Sequence, residues 1–395
     1  MLQPAVTRSA LTGFLFSGLL MSFLGAVLPV WGYHIHTNSL RVGAYFLAQT
    51  VGLLLSPAIG PRLLRRKGTS YALALACALA AAGLVELGFV APPVHYLWRM
   101  AGLLITGTAA GLLNMALFHA ITPAYELDPA STLNIGGTFF GLGCLITALI
   151  VSGTYYVKPV WLVFVLLAAP AALGSWLYAR QRAPTGTVYP QPSWRQASAE
   201  FKGLAAVLFA LLLFFQFGNE WALAGWLPLF ISQRLGTSPS TALLLLAVYW
   251  LALLLGRFGA QYLLPRVSHA RMLVGSVLAP LFGSSVLSFT DNLMGVVTGI
   301  LFLGAGFALI YPLVMEKIGY RFPRFHPGVF NGIFSIGVVG GLLSPATIGV
   351  YAHFWGVGAA VTVPLLGSIM VFLLLLLLML EAHLSGRPNN STTAA

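Results

Sequence analysis

Apolar residues fall into twelve long runs along the chain, separated by short segments that hold most of the charged residues. A helix needs about 20 apolar residues to cross the hydrocarbon core of a bilayer, so each run predicts one membrane-spanning helix. The first run is too long, and too weakly basic before it, for a cleaved signal peptide. To within a few residues, the runs are 10–36, 40–61, 69–91, 96–124, 130–154, 158–180, 203–233, 239–263, 271–290, 293–316, 327–353 and 356–382.

One long polar segment divides these twelve runs into six and six. It contains Pro184, Pro190 and Pro192, which favour an extended connection over a helix. We therefore expect an all-α membrane protein with two pseudo-symmetric bundles of six helices. The expected divisions are a bundle at 1–181, a cytoplasmic linker at 182–202, a bundle at 203–384 and a disordered tail at 385–395.

The composition agrees with a membrane protein and excludes a soluble one. Of 395 residues, 58% are hydrophobic and 7% are charged, with a mean hydropathy of +0.90. Soluble domains carry about 25% charged residues, so this chain could not cover a surface facing water. Cys77 and Cys144 both lie in apolar runs, where they are expected to be small packing residues.

The basic residues are distributed unevenly between the two sides of the predicted membrane. Basic residues accumulate in cytoplasmic loops, so the distribution predicts a multi-pass protein of the inner cell membrane with both termini in the cytoplasm. It also accounts for the net charge of +12 without a nucleic-acid partner. The opposite side carries Arg41, Arg99, Lys158 and Arg234, and Arg257 lies within a run. The cytoplasmic side would carry Arg8, Arg62, Arg65, Arg66, Lys67, Arg180, Arg182, Arg195, Lys202, Arg266, Arg271, Lys317, Arg321, Arg324 and Arg387.

Glu220 lies near the middle of the seventh run, with Gln216 one turn before it and Asn219 beside it. A charged side chain at that depth costs at least a few kcal/mol, and such residues commonly mark an ion or substrate pathway. Glu220 is therefore our candidate for coupling to H⁺ or Na⁺. The alternative is a neutral carboxylic acid that is hydrogen-bonded inside the bundle.

Four stretches of the sequence carry a family pattern: 215–226 in the seventh run, 133–143 in the fifth, 304–312 in the tenth and 340–349 in the eleventh. They resemble the major facilitator superfamily, and more narrowly its fucose–proton symporter-like sugar permeases. The resemblance implies alternating access, with spans 1, 4, 7 and 10 lining a central cavity and faces of 2, 5, 8 and 11 completing it. Gly137 stands where that family often has a histidine, and the first run has no acidic residue.

Polar and aromatic residues of the spans implied by this resemblance are the candidate site. Amides offer both donors and acceptors to a neutral polyol, and aromatic rings can stack on a sugar. Each amide could instead join two helices, which is worth ~0.6 kcal/mol on average in membranes. His119 is a second candidate for ion coupling, although a structural hydrogen bond is the simpler interpretation, and Arg257 is a candidate gate. The substrate candidates are Gln49, Asn114, Asn134, Gln216, Asn219, Trp221, Trp226, Tyr249, Trp250, Tyr311 and Asn331.

The sequence contains no phosphate-binding glycine loop, paired-cysteine metal motif or hydrolase elbow, so we expect no enzymatic activity and no bound cofactor. The leading hypothesis is an ion-coupled symporter of a small, sugar-like solute, which acts as a monomer in the lipid bilayer. An exporter of amphipathic compounds and a receptor without transport activity are the alternatives. Outside the central site, Glu86 and Arg99 are expected to form an ion pair.

Overall fold

A computed structural model describes residues 5–35, 37–127, 129–157, 159–181, 203–263, 266–322 and 332–384. These residues form twelve α-helices and contain no strand. All twelve helices are long and apolar enough to span a membrane, as the runs predict. The helices are α1 Ala5–Val27, α2 Ser39–Lys67, α3 Thr69–Phe89, α4 Tyr96–Leu127, α5 Pro129–Thr154, α6 Trp161–Ala179, α7 Leu204–Leu235, α8 Pro239–Leu263, α9 His269–Phe289, α10 Leu293–Arg321, α11 Gly332–Trp355 and α12 Ala359–Leu384.

Two helix ends differ clearly from the ends of the apolar runs. Helix α1 stops at Val27, and turns follow that include Pro29 and Gly32, whose φ of 83° is unfavourable for other residues. Helix α2 continues past the apolar run to Lys67, because its last turn carries three basic residues that interact favourably with the helix dipole. Hydrophobicity marks the part of a helix in lipid, and the helix itself can extend further.

The helices form two bundles whose main contacts correspond. In the first bundle α1 packs on α5, α2 on α4, and α3 on both α4 and α6. In the second bundle α7 packs on α11, α8 on α10, and α9 on both α10 and α12. Each pairing of the first bundle is thus repeated six helices later, which confirms two pseudo-symmetric six-helix units. The predicted linker and tail lie outside the described residues.

Glycines allow the closest helix contacts inside the first bundle. Gly107 and Gly111 of α4 face the backbone of α2, and a β-carbon at Gly111 would lie 2.6 Å from the carbonyl oxygen of Leu53. Real β-carbons do not approach an oxygen so closely, so these positions require glycine. Their separation by four residues is the small-xxx-small spacing that lets membrane helices pack closely.

The two bundles meet mainly through α2 against α11, α5 against α8, and α1 against α7. We call the membrane side that carries Arg62, Arg66, Arg180 and Arg266 the basic face, and the other side the opposite face. Near the opposite face α2 and α11 meet backbone to backbone: a β-carbon at Gly349 of α11 would lie 2.5 Å from the α-carbon of Gly43 on α2. The bundles are therefore closed against each other on the opposite face.

Candidate functional site between the helix bundles

The polar turn of α7 is buried, and most of its side chains lack a hydrogen-bonding partner. Gln216, Asn219 and Glu220 are 0%, 3% and 8% exposed. Both amide atoms of Gln216 are without a partner, and Glu220 makes no hydrogen bond or ion pair within the described residues. Residues four apart share a helix face, so Gln216 and Glu220 lie together. Asn219 instead faces Gly367 of α12, inside the second bundle.

Arg257 of α8 is a buried cation that interacts with Glu220. Their charges interact electrostatically, yet they do not come within 4.0 Å, and the buried Nε of Arg257 has no partner among the described residues. Its guanidinium lies beside Gly137 of α5: a β-carbon there would be 2.9 Å from Cζ of Arg257. Arg257 therefore reaches from the second bundle into a space that Gly137 leaves free in the first.

Aromatic side chains lie near this pair of charges, since Tyr249 interacts electrostatically with both. The rings of Trp250 and Tyr249 are 5.0 Å apart, and Trp221 lies 6.5 Å from Trp250. The Tyr249 hydroxyl and the Trp250 Nε1–H are buried without a partner in the described part of the chain. Tyr311 of α10 interacts electrostatically with both Arg257 and Glu220. Most buried polar groups are hydrogen-bonded, so several unpaired ones together indicate a place for a ligand, ion or water.

Two amide candidates make structural hydrogen bonds between or within helices. Gln49 donates to the carbonyl of Leu20 at 3.2 Å. Asn114 accepts from the Ser17 hydroxyl at 2.6 Å and donates to the carbonyl of its own helix one turn earlier. These partners match the alternative interpretation of the amides as links between helices.

The indole of Trp226 also links helices. Its Nε1–H donates to the Pro345 carbonyl at 2.8 Å, and its ring stacks on Phe46 of the first bundle at 6.3 Å. The indole is fully buried. In this arrangement Trp226 fastens α7 to α11 and to α2.

The remaining candidates are His119, Asn134 and Asn331. The Nδ1 atom of His119 lies 3.3 Å from the Thr69 hydroxyl of α3, inside the first bundle. Asn134 is half-buried on α5. Asn331 lies outside the described residues.

Several interface residues carry no signal in the sequence. Thr50 of α2 donates to the Leu342 carbonyl of α11 at 2.9 Å, and Phe140 of α5 meets Trp221 edge to face at 5.8 Å. Closer to the basic face, Phe118 of α4 lies 6.4 Å from Phe334 of α11. Thr and Phe are ordinary residues in apolar runs, so only the fold distinguishes these from their lipid-facing neighbours.

A small cavity lies where α1, α2, α7 and α11 meet. It holds about 30 Å³, and Gln49 and Trp221 are the candidate residues in its wall. That volume fits about one or two water molecules, so this cavity is much smaller than a solute-sized central cavity between the bundles would be. Towards the basic face, Phe118 and Phe334 join the bundles through their side chains, whereas near the opposite face Gly43 and Gly349 bring the backbones of α2 and α11 together. Opening on the basic face therefore requires less disruption.

Within the described residues, no group of three or more His, Cys, Asp or Glu side chains could hold a metal ion. What the cluster offers is one carboxylate, one guanidinium and several unpaired hydrogen-bonding groups at the junction of two similar bundles. Such an arrangement is suited to binding and releasing a solute or a proton rather than to a covalent reaction.

This architecture is that of a two-bundle membrane transporter, and comparison with known proteins identifies the family. A sequence model of the Major Facilitator Superfamily matches residues 115–345, more than half of the chain, so the protein belongs to that superfamily. It is not an enzyme but a transporter of this type. An uncharacterized transporter of the same type from Yersinia pestis is 24% identical over 371 residues, which cover 91% of this chain and 92% of that protein.

Solved structures show the same fold. A mutant of the nucleoside transporter NupG superposes with a TM-score of 0.71 at 15% identity, covering 94% of this chain and 99% of that one. A mutant of the Escherichia coli fucose:proton symporter FucP gives 0.64 at 15% identity, with 94% and 98% covered. FucP in the outward conformation gives 0.65 at 16% identity, with the same coverage. The predicted resemblance to the symporter family is confirmed at the level of the fold.

Proposed function

We propose that this transporter moves a small, polar, uncharged solute of the sugar or nucleoside class by alternating access, in symport with H⁺ or Na⁺. The observation that carries the proposal is Glu220, a buried carboxyl at the bundle junction with no hydrogen bond or ion pair among the described residues. An acid placed in this way can take up and release a cation as the surrounding space opens to either side.

Arg257 completes the coupling site in this proposal. When Glu220 is ionised, the two opposite charges attract and hold α7 and α8 in one arrangement. When a cation neutralises Glu220, that attraction is lost and Arg257 is free to move relative to Gly137. Coupling then follows because the preferred arrangement of the bundles depends on whether the carboxyl is occupied.

The unpaired groups near Glu220 support a polar solute. The Gln216 amide, the Tyr249 hydroxyl and the Trp250 Nε1–H together provide donors and acceptors that no described protein group satisfies. Hydroxyl-rich compounds present both functions at short spacing. The proteins of similar fold include a nucleoside transporter and a fucose:proton symporter, which agrees with a solute of this kind.

The experiment is uptake into proteoliposomes under an imposed H⁺ or Na⁺ gradient, with labelled hexoses, deoxyhexoses and nucleosides as substrates. We expect uptake above equilibrium for one class under one gradient. Glu220→Gln should abolish accumulation while retaining exchange of the same solute. The matched control is Glu316→Gln, which removes an acid that is partly exposed and lies 3.8 Å from His269. Unchanged accumulation in Glu220→Gln would reject the coupling role.

Export of amphipathic compounds is a second candidate, and one observation favours it. Phe217, Tyr311 and Phe334 pack together on the basic-face side of Glu220, with ring centroids 5.2–6.5 Å apart. Together with Phe118 they would form an apolar wall once this side opens. Resistance to lipophilic cations in cells lacking their own pumps, without uptake of any polar solute, would favour this function over symport.

We also propose that the basic face is cytoplasmic and that the membrane is the cell membrane, with the protein acting as a monomer. The support for the orientation is the positive-inside distribution of Lys and Arg. Fusion of a periplasm-dependent or cytoplasm-dependent reporter after Leu384 tests the orientation. Only the cytoplasm-dependent reporter should be active.

A further inference from the structure

A second cavity, much larger than the one between the bundles, opens at the opposite face of the first bundle. It holds about 430 Å³, within the range of small-molecule sites. The segment after α1, the start of α2 and the loop between α3 and α4 enclose it. Its wall includes Trp31, Tyr33, Arg41, Pro93, Tyr96 and Arg99.

Arg99 brings an uncompensated positive charge to this cavity. It is only 3% exposed. Its Nε donates to the Tyr45 hydroxyl at 2.8 Å, and its Nη1 donates to the carbonyls of Val90 and Val94 at 3.0 and 2.9 Å. No carboxylate lies within 4.0 Å in the described part of the chain, and the expected ion pair with Glu86 is absent. A buried charge is ordinarily paired, so an anion in this cavity would stabilise the Arg99 guanidinium.

Two further wall residues offer donors with no acceptor. Trp31 is 5% exposed, and its buried Nε1–H has no acceptor among the described residues. Arg41 lies over the Tyr96 ring at 4.8 Å and forms no ion pair in the same part of the chain. The Tyr33 and Tyr45 hydroxyls already bond to each other at 2.8 Å. The unpaired groups of the wall are thus cations and donors.

We propose that this cavity binds a compound with a carboxylate or phosphate group joined to an apolar or aromatic body. The oxyanion supplies a negative charge for Arg99 and Arg41 and an acceptor for the Trp31 Nε1–H. The rings of Trp31, Tyr33 and Tyr96 provide a surface for the apolar part. Because the cavity opens at the membrane edge, the oxyanion could belong to a dissolved compound or to a lipid headgroup, and the experiment separates the two.

The experiment is calorimetric titration of the purified full-length chain in an uncharged detergent. The ligands are benzoate, inorganic phosphate and, as the neutral counterpart of benzoate, benzamide. We expect saturable binding of benzoate, with benzamide at least about tenfold weaker, because removal of the charge removes the contacts to both arginines.

Arg41→Gln is the test variant, because Arg99 also holds the α3–α4 loop and its loss could unfold the bundle. We expect a loss of about tenfold in benzoate affinity in Arg41→Gln. Arg62→Gln, at an exposed position on the basic face, is the matched control and should bind like the unchanged protein.

A second arm compares nanodiscs of phosphatidylglycerol with nanodiscs of phosphatidylcholine. If a headgroup is the natural occupant, phosphatidylglycerol should weaken benzoate binding, and Arg41→Gln should abolish that difference. Equal benzoate affinity in both lipids, with binding intact in detergent, assigns the site to a dissolved oxyanion. The proposal is overturned if benzoate and benzamide bind equally, if Arg41→Gln binds benzoate like Arg62→Gln, or if no ligand binds in either arm.

Discussion

The guanidinium of Arg257 on α8 occupies the space next to Gly137 on α5, so a cation of the second bundle fills a gap in the first. The contact is close: a β-carbon at Gly137 would overlap Nη1 of Arg257 and lie 2.9 Å from its Cζ. Alanine at 137 therefore cannot be accommodated while Arg257 keeps its position. Gly137 thereby determines where the positive charge stands relative to Glu220.

We predict that Gly137→Ala slows transport by about tenfold or more, since it displaces Arg257 from its position near Glu220; tenfold corresponds to ~1.4 kcal/mol. The unfolding temperature should change little, because the displaced atoms are the end of a long, flexible side chain. Uptake rate and thermal unfolding are measured on the same preparation. Gly153→Ala is the control on the same helix, where a β-carbon would meet no atom within 4 Å. Equal rates in both variants would contradict the prediction.

A second prediction uses the serine pair that joins α5 to α8 on the opposite face. The hydroxyls of Ser152 and Ser240 are 3.4 Å apart, and each also donates to the other's carbonyl, at 3.0 and 3.2 Å. We expect Ser152→Cys with Ser240→Cys to form a disulfide on oxidation. Since it joins the two bundles, it should stop transport by alternating access, and reduction should restore it.

The controls for this pair are the two single cysteine variants, oxidised in the same way. The chain's own Cys77 and Cys144 are buried and should not interfere. Full transport by the cross-linked protein would show that the bundles need not separate at this point.

The sequence predicts the spans well because hydrocarbon thickness determines their length. All twelve helices correspond to apolar runs. Their ends follow other physics: Pro29 and Gly32 end α1 early, and three basic residues prolong α2. Run length therefore predicts the number of helices better than it predicts their boundaries.

The site could be predicted only in part, because proximity between helices depends on rotations that a single sequence does not reveal. The spacing of Gln216 and Glu220 places them on one face, and both are buried as expected. Gln49 and Asn114 contain the same amide group, yet each bonds to a neighbouring helix or its own backbone. Arg257 and Gly137 are 120 residues apart in the sequence, so no local pattern predicts that they meet.

The expected ion pair between Glu86 and Arg99 does not form, because Arg99 bonds to other groups that the sequence does not reveal. Both residues lie near the opposite face, but the carbonyls of Val90 and Val94 take up the Arg99 guanidinium. The buried Oε2 of Glu86 has no partner among the described residues. A prediction of ion pairs from charged residues alone misses such contacts, because loop carbonyls also accept hydrogen bonds from arginine.

The third prediction concerns the backbone contact between Gly43 and Gly349. We expect Gly349→Val to prevent closure of α11 on α2, because its side chain would meet the α-carbon of Gly43. The population should then shift towards a form open on the opposite face. Labelling of Ser240→Cys by an impermeant maleimide should become faster in this background. Gly358→Val is the control, because a β-carbon there has no neighbour within 4 Å. Unchanged labelling in Gly349→Val would show that the two helices close without this contact.

The last prediction separates a structural role from a binding role at Trp226. Its indole donates to the Pro345 carbonyl and stacks on Phe46, so Trp226→Phe should lose a buried hydrogen bond and leave that carbonyl unpaired. Such a loss costs about 1–3 kcal/mol, which thermal unfolding in detergent will detect as a lower midpoint, while solute affinity stays within about twofold. Trp161→Phe, at a position 42% exposed, should leave the midpoint unchanged. If Trp226→Phe instead keeps its unfolding midpoint and loses solute affinity, the indole contacts the solute directly. The contacts of Trp226 with Pro345 and Phe46 must then open during transport.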